Sequence, residues 1–236
     1  MYLHHIQFGV VPAKFDIWAA HAHNNLSVMA RMQGLVLMRI LRDRDDPNRF
    51  FSIRLWRNKE DSDRALATPE VHLVTKTNPE LGLSEGFPTV YKEYRLLDIV
   101  FGREGVEGYT SAEGFTNHIE VHVPPQKQSL WHPYRRNCAS VWARQPGLLS
   151  YEVAADLNDP DLFLVMRTFR DHESSLRGPE GEPNEEIKLS VKPARDLNLY
   201  EGARGSVYAA CDLFDAVYGP GGPDALRQFM ANLQPV

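Results

Sequence analysis

His5-Ile6-Gln7-Phe8-Gly9-Val10-Val11-Pro12 returns as His118-Ile119-Glu120-Val121-His122-Val123-Pro124-Pro125, 113 residues further along the chain. The same offset holds without a gap from His5 to Ser62 and carries 21 identities over those 58 positions. Trp18/Trp131, Asn24/Asn137, Arg31/Arg144, Gly34/Gly147, Phe50/Phe163 and Arg54/Arg167 are among them. Unrelated chains of ordinary composition would share roughly three or four. The sequence is therefore an internal duplication, and an element found in one copy is expected in the other.

Ile6 to Val10 and Ile119 to Val123 alternate at period 2 and run into proline, the pattern of a first strand. Phe15 to Met32 and Gln128 to Gln145 read as helices, with Ile17, His21, Asn24 and Val28 on one stripe and Leu130, Tyr134, Asn137 and Val141 on its counterpart. Gly34 and Gly147 stop them, as residues tolerant of positive φ do. Leu35 to Leu41 and Leu148 to Ala154 form second strands, Asp-Pro marks a turn, and Phe50 to Trp56 and Phe163 to Phe169 form third strands. A second helix follows from Lys59 to Ala67, reset at Thr68-Pro69; Glu173 to Arg177 takes its place in the second copy, ahead of an exposed Gly/Pro/Glu-rich loop, Gly178 to Glu186. Fourth strands are expected at Tyr91 to Phe101 and Ile187 to Tyr200.

Each copy is thus β-α-β-β-α-β, a ferredoxin-like unit. Half of such a unit's strand residues are apolar, so its open sheet face needs a cover. The other copy supplies one, giving an intramolecular dimeric α+β barrel. The expected division is 1–102 for the first repeat, 103–117 for a linker, 118–205 for the second repeat and 206–236 for a helical tail.

Composition narrows the partners. A formal net charge of −5 leaves no positive field for nucleic acid or an anionic membrane. Cys138 and Cys211 are too few for a disulfide framework and lack metal or redox spacing. The N-terminus lacks a signal-peptide pattern and no apolar run approaches a membrane span, so a cytoplasmic location is expected. His4, His5, His118 and His122 offer no third ligand at an identifiable spacing, so no metal is expected.

Pro146 to Val153, Asp159-Pro160 with Phe163, and Phe50 through Glu60 resemble the antibiotic biosynthesis monooxygenase-like domains of the dimeric α+β barrel group. The likeness spans roughly 5–75 and 118–177. It departs at Gln33-Gly34, where the second copy has the family's Pro146-Gly147, and at Phe169, where the first copy has Trp56. The resemblance implies binding of a small aromatic or polyketide-like molecule, with oxidation by molecular oxygen and no cofactor. It leaves open a non-catalytic binding or assembly protein and a haem-dependent oxidase or peroxidase, for which Glu70-Val71-His72 lies near a family ligand position. A homodimer of whole chains is also left open.

The candidate site lies on the first helices. His21 and Asn24, with Tyr134 and Asn137 at the matching positions, interrupt an apolar stripe facing a sheet. Such groups either bond one another, a carbonyl or water, or line a pocket, because an unpaired buried polar group costs about 1–3 kcal/mol. Arg54 and Arg167 share a strand face with Trp56 and Phe169; each holds an anionic or phenolate ligand or pairs across strands, Arg54 with Glu93 or Asp98. Trp18 and Trp131 open the helices, as pocket walls or core fillers. In the cofactor-free mechanism His21 or Tyr134 serves as base or proton relay, and Asn24, Asn137 and Arg54 hold the oxyanion.

Overall fold

A computed structural model describes residues 1–103, 105–110, 114–176, 185–199 and 208–232. In the first copy β1 (Tyr2–Gly9), α1 (Phe15–Met29), β2 (Leu35–Asp43), β3 (Arg49–Trp56), α2 (Lys59–Leu66), α3 (Pro69–Glu80) and β4 (Val90–Phe101) follow in order. The second has β5 (Phe115–His122), α4 (Pro125–Ala143), β6 (Leu148–Asp156), β7 (Leu162–Phe169), α5 (His172–Leu176), α6 (Glu185–Asp196) and β8 (Tyr208–Tyr218), and α7 (Gly222–Asn232) ends the described chain. The fold is α+β, with antiparallel strands in two tandem ferredoxin-like units, as the repeat required.

Two compact units emerge: Met1–Glu93 with Leu213–Val236, and Tyr94–Asp212. In the first the strands are ordered β1-β3-β2-β8, and in the second β8-β5-β7-β6-β4. β4 and β8 each continue from one unit into the other.

Duplication extends to the hydrogen-bond register. Tyr2 pairs with Trp56 and His5 with Ile53; Phe115 pairs with Phe169 and His118 with Met166. Each pairing is its counterpart displaced by 113. Even the irregularity between Leu35 and Leu37 recurs between Leu148 and Ser150.

In the first unit Tyr2, His4, Ile6 and Phe8 stand opposite Trp56, Arg54, Ser52 and Phe50. Alternation puts these on one face of the sheet. Phe50 and Trp56 belong there to a core shared with Trp18, Leu26 and Met29 of α1 and Val71 and Val74 of α3. The Trp18 and Phe50 ring centroids are 4.3 Å apart; Trp131 and Phe163 repeat the contact at 4.2 Å. α2 starts on Asn58, whose side chain accepts from the Asp61 amide at 2.8 Å, and α3 starts on Thr68 with Pro69 in its first turn.

Three expectations need correction. The fourth strand of the second copy is not at Ile187 to Tyr200, where α6 lies instead. Ile187, Leu189 and Val191 alternate in sequence, yet Leu189 is 63% and Val191 40% exposed, whereas Ser190 and Ala194, four apart, are buried. That is helical burial. The 206–236 segment is not a helical tail alone, since Tyr208–Tyr218 is strand β8, which pairs with β5 through Thr116 and Cys211. It satisfies backbone groups that β5 would otherwise leave open. The linker also ends early, because β5 begins at Phe115. Of the expected loop Gly178 to Glu186, residues 178–184 lie outside the described residues.

Candidate functional site

The first unit contains a cavity of about 110 Å³ between α1, α3 and the sheet. Its floor consists of two cross-strand rows, Ile6–Ser52–Ile40 and Arg54–Met38, and Trp18, His21, Ala22 and Asn25 of α1 form one wall. Val74, Thr75 and Asn78 of α3 form the other, with Thr89 and Tyr91 at the rim. Thr75, Asn78, Thr89 and Tyr91 also border an open groove of about 730 Å³, whose further lining includes Lys14, Glu80, Ser84 and Glu85. Lys14 Nζ donates to the Leu81 carbonyl at 2.8 Å, so its charge is held at the groove's edge.

Arg54 is the decisive residue. It is 7% exposed, its Nε has no hydrogen-bond partner, and among the described residues it makes no ion pair. Burial lowers its pKa to about 10, which leaves it a cation at neutral pH. The two carboxylates expected as cross-strand partners are engaged elsewhere. Glu93 accepts from the Tyr2 hydroxyl at 2.5 Å and lies 3.4 Å from both His4 Nε2 and Lys59 Nζ. Asp98 takes Arg135 Nη1 at 3.0 Å.

The neighbouring groups are tuned in the same way. Burial holds the half-buried His21 imidazole below its ordinary 6.5, favouring the neutral base. Burial and then the Arg54 charge do the same to His4. Asn25 Oδ1, Asn78 Oδ1 and Ser52 Oγ are buried without hydrogen-bond partners. An aromatic wall carrying one cation, one neutral imidazole and several unsatisfied polar atoms can hold an aromatic ring, fix an oxyanion and remove a proton.

The structure brings His21, Arg54 and Trp18 together and leaves other candidates outside. Asn24 and Asn137 are exposed, and Asn24 lines neither the cavity nor the groove. The buried stripe of α1 runs through Trp18, Ala22, Leu26 and Met29, rotated by one residue from the expected one, and Ile17 is 55% exposed. Asn25 thus stands where Asn24 was expected. Trp56 is fully buried in the core, away from the cavity, and Trp131 packs on Phe163. His72 is exposed and lines neither the cavity nor the groove.

In the second unit the matching positions carry larger or differently engaged side chains. Arg135 replaces Ala22, Trp142 replaces Met29 and Tyr151 replaces Met38. The Arg135 guanidinium also lies 5.6 Å from the Trp131 ring. Arg167, half-buried, has its guanidinium 4.5 Å from the Trp142 ring centroid. Half-buried Tyr134 stands in place of His21, and Cys138 in place of Asn25, with its Sγ 3.3 Å from the Ser190 carbonyl.

An α+β scaffold with a walled cavity holding a few convergent polar groups is that of a small-molecule-binding protein. The chain belongs to the antibiotic biosynthesis monooxygenase family, whose model matches residues 1–76 and 114–177. A Fusobacterium nucleatum protein described as a candidate monooxygenase superposes with a TM-score of 0.76 at 12% identity, over 92% of this chain and 94% of that one. A second candidate monooxygenase, from Lactobacillus acidophilus, gives 0.69 at 12% identity over 92% and 96%. An anthrone oxidase-like protein gives 0.61 at 13% identity over 92% of each chain. These likenesses establish the shared fold. No curated protein matches the sequence. No helix among the described residues is long and apolar enough to cross a membrane.

Proposed function

We propose that the first unit binds a hydroxylated aromatic molecule, one ring in the cavity and the remainder in the groove, and oxidises it with molecular oxygen without a cofactor. The observation that carries this is Arg54: a buried, unpaired cation on the wall of an aromatic-lined cavity that also contains His21. Family membership supports the reading, as does the fold shared with an anthrone oxidase-like protein.

His21, neutral because of burial, removes a proton from a ring CH₂ made acidic by the neighbouring carbonyl. The charge spreads onto the ring oxygen, which Arg54 holds. The resulting carbanion gives its electrons to O₂ and a C–O bond forms. The peroxide takes up the proton from His21, the second C–H proton is lost, and the O–O bond breaks. CH₂ and O₂ become C=O and H₂O, so atoms and electrons balance without an external reductant.

The test is oxygen consumption on adding a hydroxyanthrone to chelator-treated protein. Turnover is expected, falling about 10²- to 10⁴-fold in His21→Gln. No oxygen uptake by the wild type across several hydroxyanthrones, carboxylated ones among them, or unchanged turnover in His21→Gln, refutes the oxidase reading. Tight binding without turnover identifies a binding protein instead.

A further inference from the structure

We propose that the ligand of the first unit's cavity carries a permanent anion on the ring it buries, a carboxylate rather than a neutral phenol alone. This rests on Arg54 being the ligand-holding group of the reading above, and it names the chemistry that group selects. The argument begins with charge. A desolvated cation without a counter-ion is costly, and removing one partner of a buried pair is strongly destabilising for that reason. Arg54 is in that condition: it is 93% buried, and Glu93 is held by Tyr2, His4 and Lys59. A neutral hydroxyl returns a hydrogen bond to the guanidinium, whereas a carboxylate also returns the missing charge and fits its planar fork.

The duplication provides an internal control. Arg167 occupies the same position on β7, yet it is only half-buried and the Trp142 ring lies 4.5 Å from its guanidinium carbon. Among the described residues no ring covers Arg54. The Nε of each arginine lacks a hydrogen-bond partner, but the second is only half-buried and lies against a ring whereas the first is buried without one, so what enters the cavity has the more to supply at Arg54.

Size and the other unsatisfied atoms refine the class. An engineered apolar cavity of about 150 Å³ takes up one benzene. The 110 Å³ here is smaller and opens at the Thr89–Tyr91 rim, so it admits no more than a single ring, and any further ring or substituent lies in the groove. Asn25, Asn78 and Ser52 present polar atoms for a hydroxyl on the same ring. The class is a hydroxylated aromatic acid.

Isothermal titration of the full chain with benzoate, 3-hydroxybenzoate and benzyl alcohol tests this without turnover. Benzoate is expected to bind at least about tenfold more tightly than its neutral counterpart, a difference of about 1.4 kcal/mol, and 3-hydroxybenzoate more tightly again. Arg54→Gln is expected to remove the difference. Equal binding of benzoate and benzyl alcohol by the wild type overturns the inference, as does full benzoate affinity in Arg54→Gln. The wild-type comparison holds even if the variant fails to fold. Arg54-dependent benzoate binding without oxygen uptake would sink the oxidase reading alone. Oxygen uptake with no preference for the anion would sink this inference alone.

Discussion

Arg54 of β3 stands directly opposite His4 of β1, and the imidazole, not the guanidinium, is the group that reaches Glu93, at 3.4 Å. The carboxylate nearest in the ladder is thereby spent on Tyr2, His4 and Lys59, and Arg54 keeps an uncompensated charge facing the cavity. A sheet arginine is ordinarily neutralised across strands. Here that neutralisation is withheld.

Replacing the guanidinium should therefore separate stability from binding. Arg54→Met keeps much of the apolar stem and removes the buried charge, so it is expected to be neutral or to stabilise the fold by up to about 1–3 kcal/mol. Urea unfolding measures the first effect, and calorimetric titration with benzoate should show binding lost. A variant destabilised by several kcal/mol would mean that Arg54 is satisfied in the folded protein.

The histidines set an acid limit. His4, His21 and His132 all have folded pKa values below the ordinary 6.5, chiefly through burial. The unfolded chain binds more protons between the lowered and the ordinary values, so stability rises with pH across that window. It is lost as pH falls below about 6.5. The groups facing His4 are Tyr2, Glu93, Lys59 and Arg54, so the balance there is between one carboxylate and two cations. Urea midpoints should fall from pH 7.5 to pH 5.5, and His4→Gln should flatten the slope. A midpoint that rises on acidification contradicts the assignment.

Much of this was legible in the sequence. A gap-free offset of 113 implies matching strands, and the ladders match to the residue because register is fixed by which side chains face the core. His21, Trp18 and Arg54, candidates in the sequence, all line the cavity. Asn25 could not be picked out, since Asn24 and Asn25 adjoin and a 3.6-residue period leaves the stripe uncertain by one position. The rotation followed from Trp18 and Leu26, whose burial decides the facing. β8 was hidden for another reason: Cys211, Leu213 and the residues after them are a strand because β5 and β2 offer edges to pair with, a tertiary demand without local signature.

Ala22 is the small residue that keeps the cavity open, and the second copy has Arg135 at that position. Ala22→Leu should fill the space. Benzoate affinity is expected to fall by more than about tenfold, while stability changes by less than about 1.5 kcal/mol, because the added isopropyl group enters existing volume rather than packed core. Undiminished binding in a folded Ala22→Leu protein would place the ligand elsewhere.

Gly34 and Gly147 share a conformation but not a neighbourhood, which makes them a paired test of the local argument. Their φ values are +88° and +77°, where a side chain is strained by about 1–3 kcal/mol. A Cβ on Gly34 would lie 2.3–2.4 Å from the side chain of Asp61, and one on Gly147 2.4–2.5 Å from that of Ser174. Asp61 cannot yield cheaply: it is buried, accepts from Arg57 Nε at 2.8 Å and also binds Arg64. Ser174 is half-buried and makes no ion pair, but its Cβ would lie 2.5 Å away and does not move when the hydroxyl turns, so the start of α5 must shift. Gly34→Ala is therefore expected to cost the strain plus the displacement of a buried carboxylate and its two arginines, and Gly147→Ala the strain plus the displacement of a half-buried serine that breaks no ion pair. Urea unfolding of the two single variants should show the larger loss at Gly34. Equal losses would mean that the ion pairs of Asp61 add nothing to the cost, and a larger loss at Gly147 would overturn the role given to Asp61.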